Sequence, residues 1–174
     1  MDECEIHTHP HLAKVWRRRG GVTRVAAAGE DKKFAVFGAL DYASGRVTWQ
    51  VSARKGEHAF LAFLDHLAET LPADVPTVIV LDNVGYHKSH VLRARWQELS
   101  QRFFPFWLPA YAPQLNLIER VWHFLKAKLS NHRWWNDLGR LREAAETLLG
   151  LLEARFHTED RPAFRLRQDF CSSA

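Results

Sequence analysis

The sequence predicts an α/β domain, a mixed β-sheet flanked by helices. Three observations carry this. Strand-like and helix-like apolar patterns alternate along the chain in the order β, β, β, α, β, α, β, α, α. The run V-P-T-V-I-V-L-D-N at 75–83 is continuously apolar until its carboxyl end, the mark of a strand buried on both faces. And 174 residues, 47% of them apolar, suffice for one domain with a real core.

The first strand-like segment opens the chain, with His7, His9 and His11 alternating along one face of an extended stretch. Residues 33–41 form a β-rich apolar run, and in 46–53 Val47, Trp49 and Val51 share one face. D-Y-A-S-G between them is turn chemistry, so the two runs make a hairpin. Over 57–70, Phe60, Phe63, Leu64 and Leu67 recur at helical spacing, and Pro72 and Pro76 close that helix. After the buried strand comes a helix at about 89–100, then a short strand at 103–107. Its Pro105 favours a sheet edge or a bend. Helices follow at about 116–130 and 137–156. No repeat, low-complexity tract or long linker divides residues 1–174, so the reading is a single domain, with a core over about 2–130 and a C-terminal helical part over about 131–174.

Composition narrows the function. No segment approaches the roughly 18 uninterrupted apolar residues of a membrane span, and no basic-then-apolar leader opens the chain, so a cytoplasmic protein without a membrane partner is expected. Two cysteines, Cys4 and Cys171, give no disulfide framework. Cys4, His7, His9 and His11 match no familiar zinc-finger spacing. The net charge of +4 is unevenly placed: Arg17, Arg18 and Arg19 are consecutive, and Lys126, Lys128, Arg133, Trp134 and Trp135 cluster later. Basic and aromatic groups together grip phosphates and stack on unpaired bases. The same runs also fit a solvated basic face, and the tryptophans fit core anchors.

Chemistry concentrates on two carboxylates. Asp82 ends the buried strand, and ligand sites in α/β sheets gather beyond the carboxyl ends of strands; Asp82 and Asn83 are also good turn formers. Asn83 and His87 are candidates to orient a metal-bound water or a phosphate, or else to satisfy loop backbone. Glu119 shares a helix face with Asn116, His123 and Lys126. Asn116 and Glu119 also have the spacing of a capping box, a structural role. The prolines of P-A-Y-A-P-Q-L fix the loop before that helix.

Residues 108–126 contain Ala112, Pro113, Leu115, Asn116, Ile118, Glu119, Trp122, Leu125 and Lys126. This resembles the S/A-P-x-L-N-x-I-E-x-x-W-x-x-L-K signature of DDE-superfamily transposases, in the bacterial insertion-sequence groups related to mariner-like elements. Asp82, Asn83 and His87 stand in a V-x-V-L-D-N-x-x-x-H segment similar to the one carrying that family's second aspartate. Thirty-six residues separate Asp82 from Glu119, a spacing of the kind found in the group. The opening D-E-C-E-I-H resembles the block that begins with the first aspartate, which gives that role to Asp2. Asp41 also ends an apolar strand, but the hairpin turn accounts for it.

The resemblance implies a ribonuclease-H-like fold, here with its first strand truncated and the upstream helix-turn-helix region absent. It also implies a catalytic and metal-holding triad of Asp2, Asp82 and Glu119, supported by Asn83, His87 and Asn116. Two Mg2+ ions, or Mn2+, are the expected cofactors, since clustered carboxylates repel one another until hard cations join them. The implied function is metal-dependent DNA cleavage and strand transfer in transposition of an insertion sequence. The alternative is an inactive remnant or accessory domain that binds DNA or partner subunits. Expected partners are DNA, contacted through Arg17, Arg18, Arg19, Lys126 and Arg133, and either a second copy of the chain or an N-terminal DNA-binding polypeptide.

Overall fold

A computed structural model describes residues 1–12, 29–110 and 112–155 and, between the first two stretches, residues 14, 16, 18, 19, 21, 24, 25 and 27. Arg17 and residues 156–174 lie outside the described residues. Five strands and four α-helices follow in order: β1 (Asp2–His7), β2 (Lys33–Leu40), β3 (Val47–Ser52), α1 (Glu57–Thr70), β4 (Thr77–Leu81), α2 (His90–Glu98), β5 (Phe103–Trp107), α3 (Ile118–Leu129) and α4 (Leu138–Arg155). A short 3-10 turn, Gly85–Lys88, links β4 to α2. Each expected element is present, with boundaries shifted by one or two residues.

The expected single sheet is resolved into two ladders. β1, β2 and β3 form an antiparallel meander with Asp2 opposite Gly38, and β4 and β5 pair in parallel. The reason is overlap: β1 meets β4 at its very start, where the Met1 amino group donates to the Val80 carbonyl at 2.7 Å. That bond brings the start of β1 to the end of β4, and Asp2 within electrostatic reach of Asp82. The hairpin turn is held as its composition requires, Asp41 accepting from Ala43 N (2.9 Å) and Ser44 Oγ (2.6 Å). Pro105 does mark an edge. Thr77 N donates to Arg102 O and Leu108 N to Leu81 O, so in this register Phe104 and Phe106 turn their N–H groups to β4 while Pro105 faces outward.

Alternation along the strands divides the core into two layers. Ala35, Phe37, Ile79, Leu81 and Phe103 bury against α1 and α2 through Phe60, Phe63, Leu64 and Trp96. Cys4, Ile6, Phe34 and Val36 bury against α3 and α4 through Ile118, Trp122, Leu125 and Leu141. Over β4 and β5 this second face is bare among the described residues, leaving Val78, Phe104 and Phe106 exposed. Gly38 is needed where it stands: a Cβ there would lie 2.5 Å from Trp122 Cη2. Without one, the indole of Trp122 lies flat against β2, directly behind Asp2.

Candidate active site

Three elements deliver the three carboxylates. Asp2 opens β1, Asp82 follows the last residue of β4, and Glu119 is the second residue of α3. Asn116 ties α3 to the strands, its side-chain amide donating to the Met1 carbonyl at 3.1 Å in a buried position. No side chain caps α3; the Asn116 side chain is spent on Met1, while its backbone carbonyl accepts from Glu119 N at 3.1 Å.

Asp2 is almost fully buried, and its Oδ2 accepts from Trp122 Nε1 at 3.1 Å. Burial, followed by the negative charges of Glu3, Glu119 and Asp82, pushes its carboxyl up to about 7, although the Glu3 N–H opposes this. The chain thus gathers like charges around a group shielded from water, which favours the neutral form until a cation arrives. Asp82 is the opposite case. Its carboxyl is held below the usual carboxylate range, chiefly by His87, although burial opposes that. Glu119 is exposed and lines a groove of about 570 Å³ with Lys126, Lys55 and Trp122, whereas Asp82 lines a neighbouring hollow with Asn83, Pro109 and Ala112.

Oxygen-only donors of this kind suit Mg2+ or Mn2+. Among the described residues, however, no three His, Cys, Asp or Glu side chains converge closely enough to hold one ion. The fold therefore brings the carboxylates within electrostatic reach, and the donor set fits in kind, but their side chains are not arranged as a chelate. His7 Nδ1 pairs with Asp31 Oδ2 at 2.7 Å.

The supporting residues divide. His87, for which the sequence left open either a metal-bound water or phosphate or the loop backbone, is completely buried in the 3-10 turn, 3.2 Å from Asp82 Oδ1 and 3.5 Å from Glu3 Oε2. Burial works to lower its pKa, yet Asp82 and Glu3 outweigh it and raise it to about 9. Asn83 Oδ1 accepts from Lys88 Nζ. Lys126 flanks the groove beside Glu119. Arg133 stacks on Trp135 at 3.9 Å, while Arg18 and Arg19 are exposed. Sequence reasoning missed Glu3 and understated Trp122. The available signal for Glu3 was strand alternation, which turns it away from Asp2 toward the aromatic layer of α1.

A family model described as "DDE superfamily endonuclease" matches residues 1–142. The chain belongs to the DDE superfamily endonucleases. Among its relatives, the "Insertion element IS630 uncharacterized 39 kDa protein" of Shigella sonnei is 29% identical over 151 residues, spanning 84% of this chain and 44% of the relative. Among solved structures, a pre-cleavage Mos1 transpososome superimposes with a TM-score of 0.66 at 15% identity, over 90% of this chain and 50% of that one. The Mos1 strand transfer complex gives 0.63 at 14% identity, over 89% and 51%. A simian T-cell lymphotropic virus intasome in complex with the PP2A regulatory subunit B56 gamma gives 0.52 at 17% identity, over 70% of this chain and 41% of that one. The chain therefore has the ribonuclease-H-like fold of transposase and integrase catalytic domains, and it spans about half the length of the relatives it matches.

Proposed function

We propose that the chain is the catalytic domain of an insertion-sequence transposase, cutting and joining DNA strands by phosphoryl transfer. The observation that carries this reading is the placement of Asp2, buried and bonded to Trp122, at the start of β1 with Asp82 at the end of β4 and Glu119 at the start of α3. Such a cluster is unfavourable for a purely structural role and favourable for binding divalent cations. Asp2, Asp82 and Glu119 would hold Mg2+ or Mn2+, two ions in the scheme the family implies. When bound, such ions activate the attacking oxygen and stabilise the leaving one in an in-line displacement.

The chain's own contribution is orientation. Trp122 fixes one oxygen of Asp2, and Asn116 anchors the start of α3 so that Glu119 faces the strand ends. Lys126 and Arg133, with the basic residues after His11, offer charge to the DNA backbone. Water as nucleophile gives strand cleavage, and a DNA 3′-hydroxyl gives strand joining. The relatives named for transpososomes and a strand transfer complex support a working assembly on DNA. For this chain the assembly would be a second copy or an N-terminal DNA-binding polypeptide, acting in the cytoplasm wherever the DNA lies. Among the described residues, no helix is long and apolar enough to cross a membrane.

The test is a nicking assay on supercoiled DNA with Mg2+ or Mn2+, comparing the chain with Asp82→Ala and Glu119→Ala. Metal-dependent cleavage by the unaltered chain, lost in both variants, is expected. Cleavage no greater than in the variants would instead leave the non-catalytic accessory domain.

A further inference from the structure

Behind Asp82 lies a buried ionic pair that the triad does not account for. Glu3 sits one residue after Asp2 on β1, so its side chain turns to the opposite face, where it is 4% exposed. One carboxylate oxygen accepts from the Tyr86 hydroxyl, with Lys55 Nζ 3.9 Å away. The other oxygen has no hydrogen bond and faces His87 Nε2 at 3.5 Å. The ring's opposite nitrogen stands 3.2 Å from Asp82 Oδ1, which is itself buried, while the Asp82 side chain as a whole is 39% exposed. One oxygen of Asp82 thus stands against the His87 ring in ion-pair contact, with no hydrogen bond made by either ring nitrogen, and the exposure falls on the rest of the side chain.

The surroundings are apolar: the Phe60 ring lies 4.1 Å from the His87 ring, and Tyr86 lies 4.6 Å away on another side. Burying a carboxylate and an imidazole here costs several kcal/mol of lost hydration, and hydrophobic residues of similar volume would pack the space without that cost. Packing alone therefore does not explain the pair. Its geometry joins the first residues of β1 to the turn after β4, next to the bond from the Met1 amino group to Val80 O.

We propose that Glu3, acting through the His87 ring, is a positioning residue for Asp82: the pair fixes the inner oxygen of Asp82 and so aims the outer one at the catalytic face. This rests on the nuclease reading above. Residues behind a metal ligand characteristically tune metal affinity by 10–100-fold, and that is the scale expected here.

The experiment measures Mn2+ binding by calorimetry on the full chain, together with kcat and KM for strand cleavage and a thermal melt. Glu3→Gln keeps the shape and removes the charge; His87→Gln is the second variant. Expected are a Mn2+ affinity about 10–100-fold weaker in each, a lower kcat at saturating DNA with unchanged KM, and losses that do not add in the double variant. In an Asp82→Asn background, Glu3→Gln should change nothing further. A Glu3→Gln chain that melts lower but binds Mn2+ as tightly as the unaltered one overturns the proposal, as does an equal effect in the Asp82→Asn background. An unaltered chain that binds no Mn2+ and cuts no DNA sinks the nuclease reading itself, and this proposal with it.

Discussion

Gly38→Ala tests the packing that holds Asp2. The added methyl would stand 2.5 Å from Trp122 Cη2, 3.0 Å from Trp122 Cζ2 and 3.1 Å from Ile118 Cδ1. Carbon atoms rest at about 3.5–4.0 Å, so the indole must retreat by about 1 Å. It has little room, being 1% exposed and tied through its N–H to Asp2. Overpacking of this kind costs about 1–3 kcal/mol, and the reduced freedom of the unfolded chain returns about 0.4–1. A net loss of about 1.3 kcal/mol lowers the melting temperature by about 3–5 °C in a domain of this size. Calorimetry should show that drop, and the nicking assay should show weakened cleavage, because the retreating indole gives up its bond to Asp2. Trp122→Phe removes the clashing atoms, so Gly38→Ala in that background should cost no more than about 0.5 kcal/mol. Equal melting shifts in both backgrounds, or none in either, would refute the clash and with it the link from Gly38 to Asp2.

Asp2→Asn should stabilise the metal-free chain. The folded carboxyl titrates at about 7 and the unfolded one near the usual 3.8, so the folded state of the unaltered chain binds more protons in between. Its contribution is fully present below about pH 4 and is lost as pH rises through 7; melting curves of variant and unaltered chain should therefore diverge over that window, and parallel curves would contradict the shift. Lys126→Ala should weaken DNA binding and reduce the slope of log affinity against log salt by about 1, measured by fluorescence anisotropy; an unchanged slope would remove Lys126 from the phosphate contacts. Replacing Phe104 and Phe106 by serine should lower the melting temperature by less than about 2 °C, because the rings are 46% and 58% exposed, and should reduce self-association in light scattering. A fall of more than about 5 °C would mean that these rings are covered in solution.

Local pattern and long-range contact were unequally readable. The helix of 57–70 and the edge position of Pro105 were legible because each depends on periodicity or on one missing N–H, properties carried by neighbouring residues. Asp82 and Glu119 were legible through their motifs, and Asp41 was correctly left to its turn. What escaped were contacts between segments far apart in the chain: Asn116 with Met1, Trp122 with Asp2, and Glu3 with His87. His87 shows why. Its place in the motif fixes that it is near Asp82, but whether it faces solvent or the Phe60 layer depends on how α1 lies across β1 and β4. The bare face over β4 and β5 was equally invisible, since a doubly apolar strand gives no sign of which side finds a neighbour.

The bond from Met1 to Val80 has a practical consequence at the bench. A residue joined directly ahead of Met1 would take up the nitrogen that now donates to Val80 O, two positions from Asp2. A loss of cleavage in a preparation with an affinity handle fused directly there would report on the handle, not on the chain's own carboxylates.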